Sequence, residues 1–281
     1  MAISGNATTA EGLPADFVRI FSWPTSELVG VAVPDESGDW SHVLPLSGEY
    51  GLTYIAAGCQ PITHGPYFVE GTGDPHWGNV VALLHFDGDL TDETGRVWTG
   101  SGAFSYVSGQ FGLGFKSSGG QVSTPASPDL DLSTGDFTIE CFINLTGTSG
   151  LRALLSSGVQ NWATGNIYIL VDGSNRLEIG SFVDGLIWLS SATLPSSGAF
   201  HFCLERLAGA LRLFVDGVLV DSELSGAAIN LSTNGTRIGV NSNNVNPFSG
   251  VIDELRITKG VARYTEDFTS PTLPFPGSGP A

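Results

Sequence analysis

Four Asp-Gly dipeptides, at 87–88, 172–173, 184–185 and 216–217, set the scale on which this chain can fold. Asp-Gly supplies the positive φ angles of a two-residue type I′ turn, so each marks a place where an extended run can reverse. The dipeptide at 216–217 lies between LRLFV (211–215) and VLVDS (218–222) and predicts a hairpin. Similar runs fill the chain around it: VVALLHF (80–86), AFSYV (103–107), FTIECFINL (137–145), NIYILV (166–171), RLEIGSFV (176–183), AFHFCLERL (199–207), ALRLFV (210–215), VLVDSE (218–223), TRIGV (236–240) and VIDELRIT (251–258). None has helical periodicity, and sustained heptads are absent, which excludes a coiled coil. Glycine, 38 of 281 residues and about twice its ordinary share, favours turns over long helices. Together these runs predict an all-β chain whose larger part is a two-sheet jelly roll.

A second rhythm precedes it. FVRIF (17–21), LVGVAV (28–33), DWSHVL (39–44), EYGLTYI (49–55) and PYFVE (66–70) are separated by turn residues such as PDESG (34–38). They predict a small antiparallel β-sandwich over residues 13–70. Residues 1–12 are small and polar and are expected as a flexible tail. The Gly/Pro-rich stretch 71–77 reads as a linker, which leaves 78–276 for the jelly roll and 277–281 as a C-terminal tail. The prolines of 265–281 keep that stretch out of the middle of a sheet.

Eleven Lys and Arg stand against 28 Asp and Glu, a formal net charge of −17. Such a polyanion repels phosphate backbones and anionic lipid, so neither nucleic acid nor a charged membrane surface is an expected partner. No apolar run reaches spanning length, and membrane insertion is not expected. Residues 1–12 lack a basic and an apolar region, so no signal peptide is expected and synthesis is placed in a cytoplasm. Cys59, Cys141 and Cys203 are odd in number, far apart and without a CxxC, which excludes a disulfide framework or a zinc site. Cys141 and Cys203 lie within apolar runs and read as core.

The words LHFDG (84–88), DETG (92–95), FTIE (137–140), LRLFVDGVLV (211–220), RIGV (237–240) and IDELRITKGVARY (252–264), closed by PTLPFP (271–276), are found in order along the chain. In them residues 78–276 resemble the laminin-G-like, concanavalin A-like jelly roll of the lectin/glucanase superfamily. LHFDG combined with IDELRITKGVARYT resembles the version found in tailed-bacteriophage virion proteins. The first region resembles the prealbumin-like or carboxypeptidase-regulatory-like β-sandwich in ADFVRIF, SELVGVAVPDESGDWS and GEYGLTYIAAG. The resemblance implies a non-enzymatic protein of the virion surface, made in the host cytoplasm: a head-decoration, head-fibre or small tail-associated protein. It would be held by other virion proteins, homo-oligomeric on the particle, and would display a glycan-binding or adhesive jelly roll to a host surface. A receptor-binding tail-fibre protein is the alternative, and a glycan-degrading enzyme a more distant one.

The glucanases of that superfamily resemble one another in a strand carrying E-x-D-x-x-E, whose alternation lines carboxylates on one face. No such run is present. FTIECF offers Glu140 alone, LEIGSFVDG offers Glu178 and Asp184 far apart, and the adjacent Asp253 and Glu254 are expected on opposite faces. No cofactor is required by this reading. Asp87 and Asp253 would meet if the first and last strands are neighbours, and could then hold a structural Ca²⁺. The competing reading makes Asp87-Gly88 a plain turn and pairs Glu254 with Arg256 or Arg237. For a glycan, the candidates are Trp162 in SSGVQNWATGN, Trp188 in DGLIWLSS, and Asn241, Asn243 and Asn244 of NSNNVN: aromatic platforms beside amides that can exchange hydrogen bonds with hydroxyls. Against this, Trp188 with Trp40 and Trp98 would pack in a core, and NSNNVN would be a connecting loop.

Overall fold

The computed structural model describes residues 2–22, 26, 28–43, 48–69, 73–146, 150–157, 166–181, 186–194, 198–232, 235–241 and 245–279. The chain divides into two units between Pro75 and His76.

The first unit contains β1 (Ala2–Asn6), β2 (Phe17–Ser22), β3 (Leu28–Ala32), β4 (Asp39–Val43), β5 (Gly48–Ile55) and β6 (Ile62–Val69). Four of them form an antiparallel sheet in the order β3-β2-β5-β6, and β1 pairs with β4. The expectation of a free tail at 1–12 is corrected here: β1 is laddered to β4 from Ala2↔Val43 to Asn6↔Asp39. Its residues have little strand propensity, and the partner strand supplies what propensity does not. Alternation along β2 sends Val18 and Ile20 into a core with Trp40, Tyr50 and Leu52.

The second unit opens with a 3-10 turn, Trp77–Asn79, and β7 (Val80–Leu84). There follow β8 (Thr99–Ser101), β9 (Phe104–Ser108), β10 (Leu113–Ser117), β11 (Gln121–Thr124), β12 (Asp131–Ser133), β13 (Phe137–Leu145), β14 (Arg152–Ser157), β15 (Tyr168–Val171) and β16 (Leu177–Ser181). The last strands are β17 (Leu186–Ser190), β18 (Ala199–Leu207), β19 (Ala210–Val215), β20 (Val218–Leu224), β21 (Ile229–Asn230), β22 (Thr236–Ile238) and β23 (Gly250–Lys259). Among the described residues these make two main antiparallel sheets. One has eight strands, in the order β20-β19-β18-β13-β23-β10-β9 with β7 on β23; the other has seven, in the order β17-β16-β15-β14-β22-β11-β8. The core lies between them. Phe115, Phe137, Ile139, Phe202 and Leu213 of the first sheet belong to one buried cluster with Leu155, Ile169, Leu177 and Ile238 of the second. This is the two-sheet jelly roll expected from the sequence.

The hairpin at 216–217 is present, with Asp216 and Gly217 both at positive φ, 50° and 77°. In the second unit β8, β10, β11, β12, β14, β17 and β21 have no counterpart among the sequence runs. LGFKS, QVST, RALLSS and LIWLS are short or rich in small polar residues, and β10, β11 and β14 are held by partners on both sides. After β23 the chain turns at Gly260 and crosses the outer face of the eight-stranded sheet as a strap. Tyr264, Phe268 and Phe275 of the strap pack around His201, with Phe142 also against its ring. The prolines keep the strap out of the sheet, as expected, but it seals the sheet's back rather than trailing away.

Candidate ligand-binding face

The seven-stranded sheet carries a continuous outward row. Register places Thr99 opposite Ser123, Ser123 opposite Arg237, Arg237 opposite Ser156, Ser156 opposite Tyr168, and Tyr168 opposite Gly180. Flanking residues Val122, Ile238, Leu155 and Ile169 lie in the core, so strand alternation turns this row away from it. Thr99 is exposed, Ser123 and Arg237 are half-buried, and Ser156 and Tyr168 are buried. One step along the same strands, the Gln121 side-chain amide donates to Ser101 Oγ at 3.2 Å. The accessible end of the face thus offers hydroxyls, an amide and a guanidinium on adjacent rigid strands. Burial lowers the Arg237 pKa. Burial, then the charge of Glu178, raises the Tyr168 phenol. Burial, then Asp172, raises Glu178 itself, against the pull of Arg176.

The sequence candidates for a glycan fall as follows. Trp162, Asn243 and Asn244 lie outside the described residues. Trp188 is half-buried and packs against the jelly-roll core. Asn241 is buried; its side-chain oxygen accepts the Val245 N–H at 3.0 Å, and its own N–H donates to the Val245 carbonyl. Both of these groups are thus engaged with the Val245 backbone. Trp40 and Trp98 are buried in the cores of their units. The outward row containing Arg237 and Gln121 was not singled out, because its members come from strands distant in sequence and only register aligns them.

Asp87 and Asp253 are brought to one turn, between β9 and β10. Asp87 Oδ1 accepts the Leu113 N–H at 2.7 Å; Asp253 Oδ2 accepts those of Gln110 and Phe111 at 2.8 and 2.9 Å. Burial, with smaller contributions from Glu254 and Asp87, raises Asp253 to about 7. Calcium asks for six to eight oxygens, and among the described residues no group of three or more His, Cys, Asp or Glu is arranged to hold a metal. The two carboxylates act here as acceptors for the turn. Glu254 pairs with neither Arg256 nor Arg237: its Oε1 lies 2.8 Å from His85 Nδ1, and its Oε2 accepts the Phe275 N–H. It sits at φ 53°, in an irregularity where Glu140 faces Arg256 but Phe142 faces Asp253. The extra residue breaks the alternation, so the carboxylates of Asp253 and Glu254 both reach the outer side, against the expectation of opposite faces.

That outer side also holds a pair of carboxylates the sequence did not reveal, because they come from different strands. Glu140 of β13 and Glu205 of β18 are both fully buried. Arg256 Nε and a terminal nitrogen donate to Glu140 Oε1 at 3.0 and 2.8 Å, and the Tyr264 hydroxyl donates to Glu140 Oε2 at 2.9 Å. His201 Nε2 lies 3.2 Å from the same oxygen, outside hydrogen-bond alignment. Burial alone would raise Glu140, but Arg256, His201 and Arg263 outweigh it and hold it well below the usual range. Burial pushes Glu205 up to about 7, against its bond from the Tyr264 N–H and the nearby Arg212. Tyr264 of the strap bonds to both carboxylates, and no surface of either is open to a substrate.

A family model described as the concanavalin A-like lectin/glucanases superfamily matches residues 116–265. Solved structures share the fold. Domain 4 of AbnA, a GH43 extracellular arabinanase from Geobacillus stearothermophilus in complex with arabinotriose, is 23% identical with a TM-score of 0.50, covering 65% of this chain and 93% of its own. The botulinum neurotoxin serotype C1 binding domain is 16% identical with a TM-score of 0.50, and the binding domain of Paraclostridial Mosquitocidal Protein 1 is 16% identical with a TM-score of 0.53. Each of these two covers 66% of this chain and 50% of its own. At such identities the likeness is one of fold. No curated protein matches the chain.

Proposed function

The chain belongs to the concanavalin A-like lectin/glucanases superfamily, and from that premise we propose that its jelly roll is a non-catalytic module that binds glycan on the outward face of the seven-stranded sheet. The observation that carries this is the asymmetry of the two outer faces. The strap closes the back of the eight-stranded sheet over the buried carboxylates of Glu140 and Glu205, while the other sheet presents Thr99, Ser101, Gln121, Ser123 and Arg237 at its surface. Such donors and acceptors on rigid strands suit the hydroxyls of a sugar. The arabinanase domain, described with arabinotriose, is a case of this fold beside an oligosaccharide.

An array of oligosaccharides probed with the full chain tests the reading. Arg237→Ala should weaken the best interaction about tenfold or more, the value of a hydrogen bond from a charged donor, while the melting temperature stays within a few degrees. Undiminished binding by Arg237→Ala would remove this face from the account. Turnover of any bound glycan would instead favour the enzyme.

The wider setting we propose is the surface of a tailed-phage particle, as a decoration, head-fibre or small tail-associated protein, with the first unit attached to other virion proteins and several copies displayed together. Its support is the order of the words LHFDG and IDELRITKGVARYT in the sequence. A net charge of −17 would keep neighbouring copies from associating through their exposed surfaces. Deletion of residues 1–75 should abolish incorporation into particles if the first unit is the attachment.

A further inference from the structure

The first unit has a second face, opposite its core. Strand alternation turns Phe17, Arg19 and Phe21 of β2 outward, and register sets beside them Val31 and Leu28 of β3 and Thr53 and Ile55 of β5. Leu28 and Val31 are 58% and 45% exposed, far more than a sheet face needs to leave open. Phe21 lies across Gly51, where a Cβ would strike its ring, so the sheet is shaped to keep this aromatic flat on the face. The Thr53 and Thr63 hydroxyls bond to each other at 2.9 Å.

At the centre stands Arg19. Residues 1–75 contain five Glu and four Asp but no other Lys or Arg. Even so, no ion pair to Arg19 is present among the described residues; its one contact of note is with the Phe17 ring, 5.6 Å from the guanidinium carbon. An exposed apolar sheet face with one cation that no described residue neutralises, in an otherwise acidic unit, has the make-up of an interface core: aromatic and aliphatic anchors around an Arg.

We propose that this face docks a different folded protein, through an apolar surface that presents a carboxylate to Arg19. Charge decides among the occupants. A two-fold pairing of this face with itself would set Arg19 against Arg19. An anionic membrane would meet nine carboxylates for one cation. Among the described residues, a sugar would find the two threonine hydroxyls, already bonded to each other. A carboxylate on an apolar protein surface satisfies the guanidinium bidentately and covers the aromatic residues at the same time. This face belongs to the first unit alone, and docking on it is independent of glycan binding by the jelly roll.

The test places benzoylphenylalanine at position 31 of the full chain, expressed in the organism that makes it, and identifies photo-cross-linked peptides by mass spectrometry. The expected product joins this chain to one other protein, through a peptide that contains Asp or Glu. Arg19→Glu should lower its yield at least tenfold with an unchanged melt, Arg19→Lys should give an intermediate yield, and changing the partner's acid to Arg should restore the yield to Arg19→Glu. Cross-links confined to this chain, whether to residues 76–278 or to a second copy, would overturn the proposal. So would cross-links to lipid, the absence of any product, or a yield indifferent to Arg19→Glu. Glycan binding measured on the same variants reads the jelly roll separately.

Discussion

At Glu140 the chain holds an ionised carboxylate that no water reaches. Its tolerance of that position comes from Arg256, which donates two hydrogen bonds, from Arg263 at 3.6 Å, and from the Tyr264 hydroxyl. The Arg256 guanidinium is in turn stacked 3.8 Å from the centre of the Phe275 ring. Removing one partner of a buried pair leaves the other charge without compensation, at a cost of about 3–5 kcal/mol. Glu140→Gln, which keeps the shape and removes the charge, should therefore lose stability of that order in urea unfolding; a loss under about 1 kcal/mol would mean that the network holds the arginines without its anion. The two buried thiols sit in the same region. Burial, with Glu140 as the next cause, raises both Cys141 and Cys203, so the apolar-run reading of these cysteines as core is matched by their place in the sheet.

The strap is the element that distinguishes the two outer faces, and its attachment is specific. The Phe268 N–H donates to the Gly217 carbonyl, the Leu219 N–H donates to Asp267, and the Thr138 hydroxyl donates to the Val261 carbonyl. A Cβ at position 217 would strike the Phe268 carbonyl, so the glycine that makes the hairpin also admits the strap. Phe275→Ala should cost roughly 3–5 kcal/mol, as for a large aromatic removed from a packed site, and leave glycan binding unchanged; a parallel loss of binding would tie the strap to the ligand site. Legibility follows the same physics. FTIECFINL and AFHFCLERL coincide with β13 and β18 because long central strands, buried on both faces, write themselves as apolar runs. Strands such as QVST and RALLSS do not, because their partners rather than their side chains decide them. The DETG word was legible as a motif, and its physical role emerges only in three dimensions: Asp92 accepts the Leu83 and Thr94 N–H groups and the Trp98 indole N–H. The outward row of the seven-stranded sheet and the Glu140–Glu205 pair were not legible, since each depends on register between distant strands.

For the molecule as a whole, the buried acids set a pH dependence whose sign can be worked out. Glu205 and Asp253, raised from 4.5 and 3.8 to about 7, keep protons in the folded chain that the unfolded chain has released, so stability falls as pH rises through that window. His85 is raised above 6.5 chiefly by its bond to Glu254; its contribution is complete below that value and is lost as pH rises through its higher folded pKa. Glu140, held low, contributes above 4.5 and loses its contribution as pH falls. The melting temperature should therefore peak near pH 5 and decline toward pH 8; a flat or rising profile over that range would contradict these assignments. Lower pH also relieves the repulsion of a −17 chain, with the same sign. Glycan is proposed to meet the outward face of the seven-stranded sheet, and a crystal structure of the full chain with the tightest-binding oligosaccharide from the array checks that location. The sugar is expected within hydrogen-bond reach of Arg237 and of Gln121 or Ser123; a sugar seated on the strap side or on the first unit, with that row bare, would overturn it.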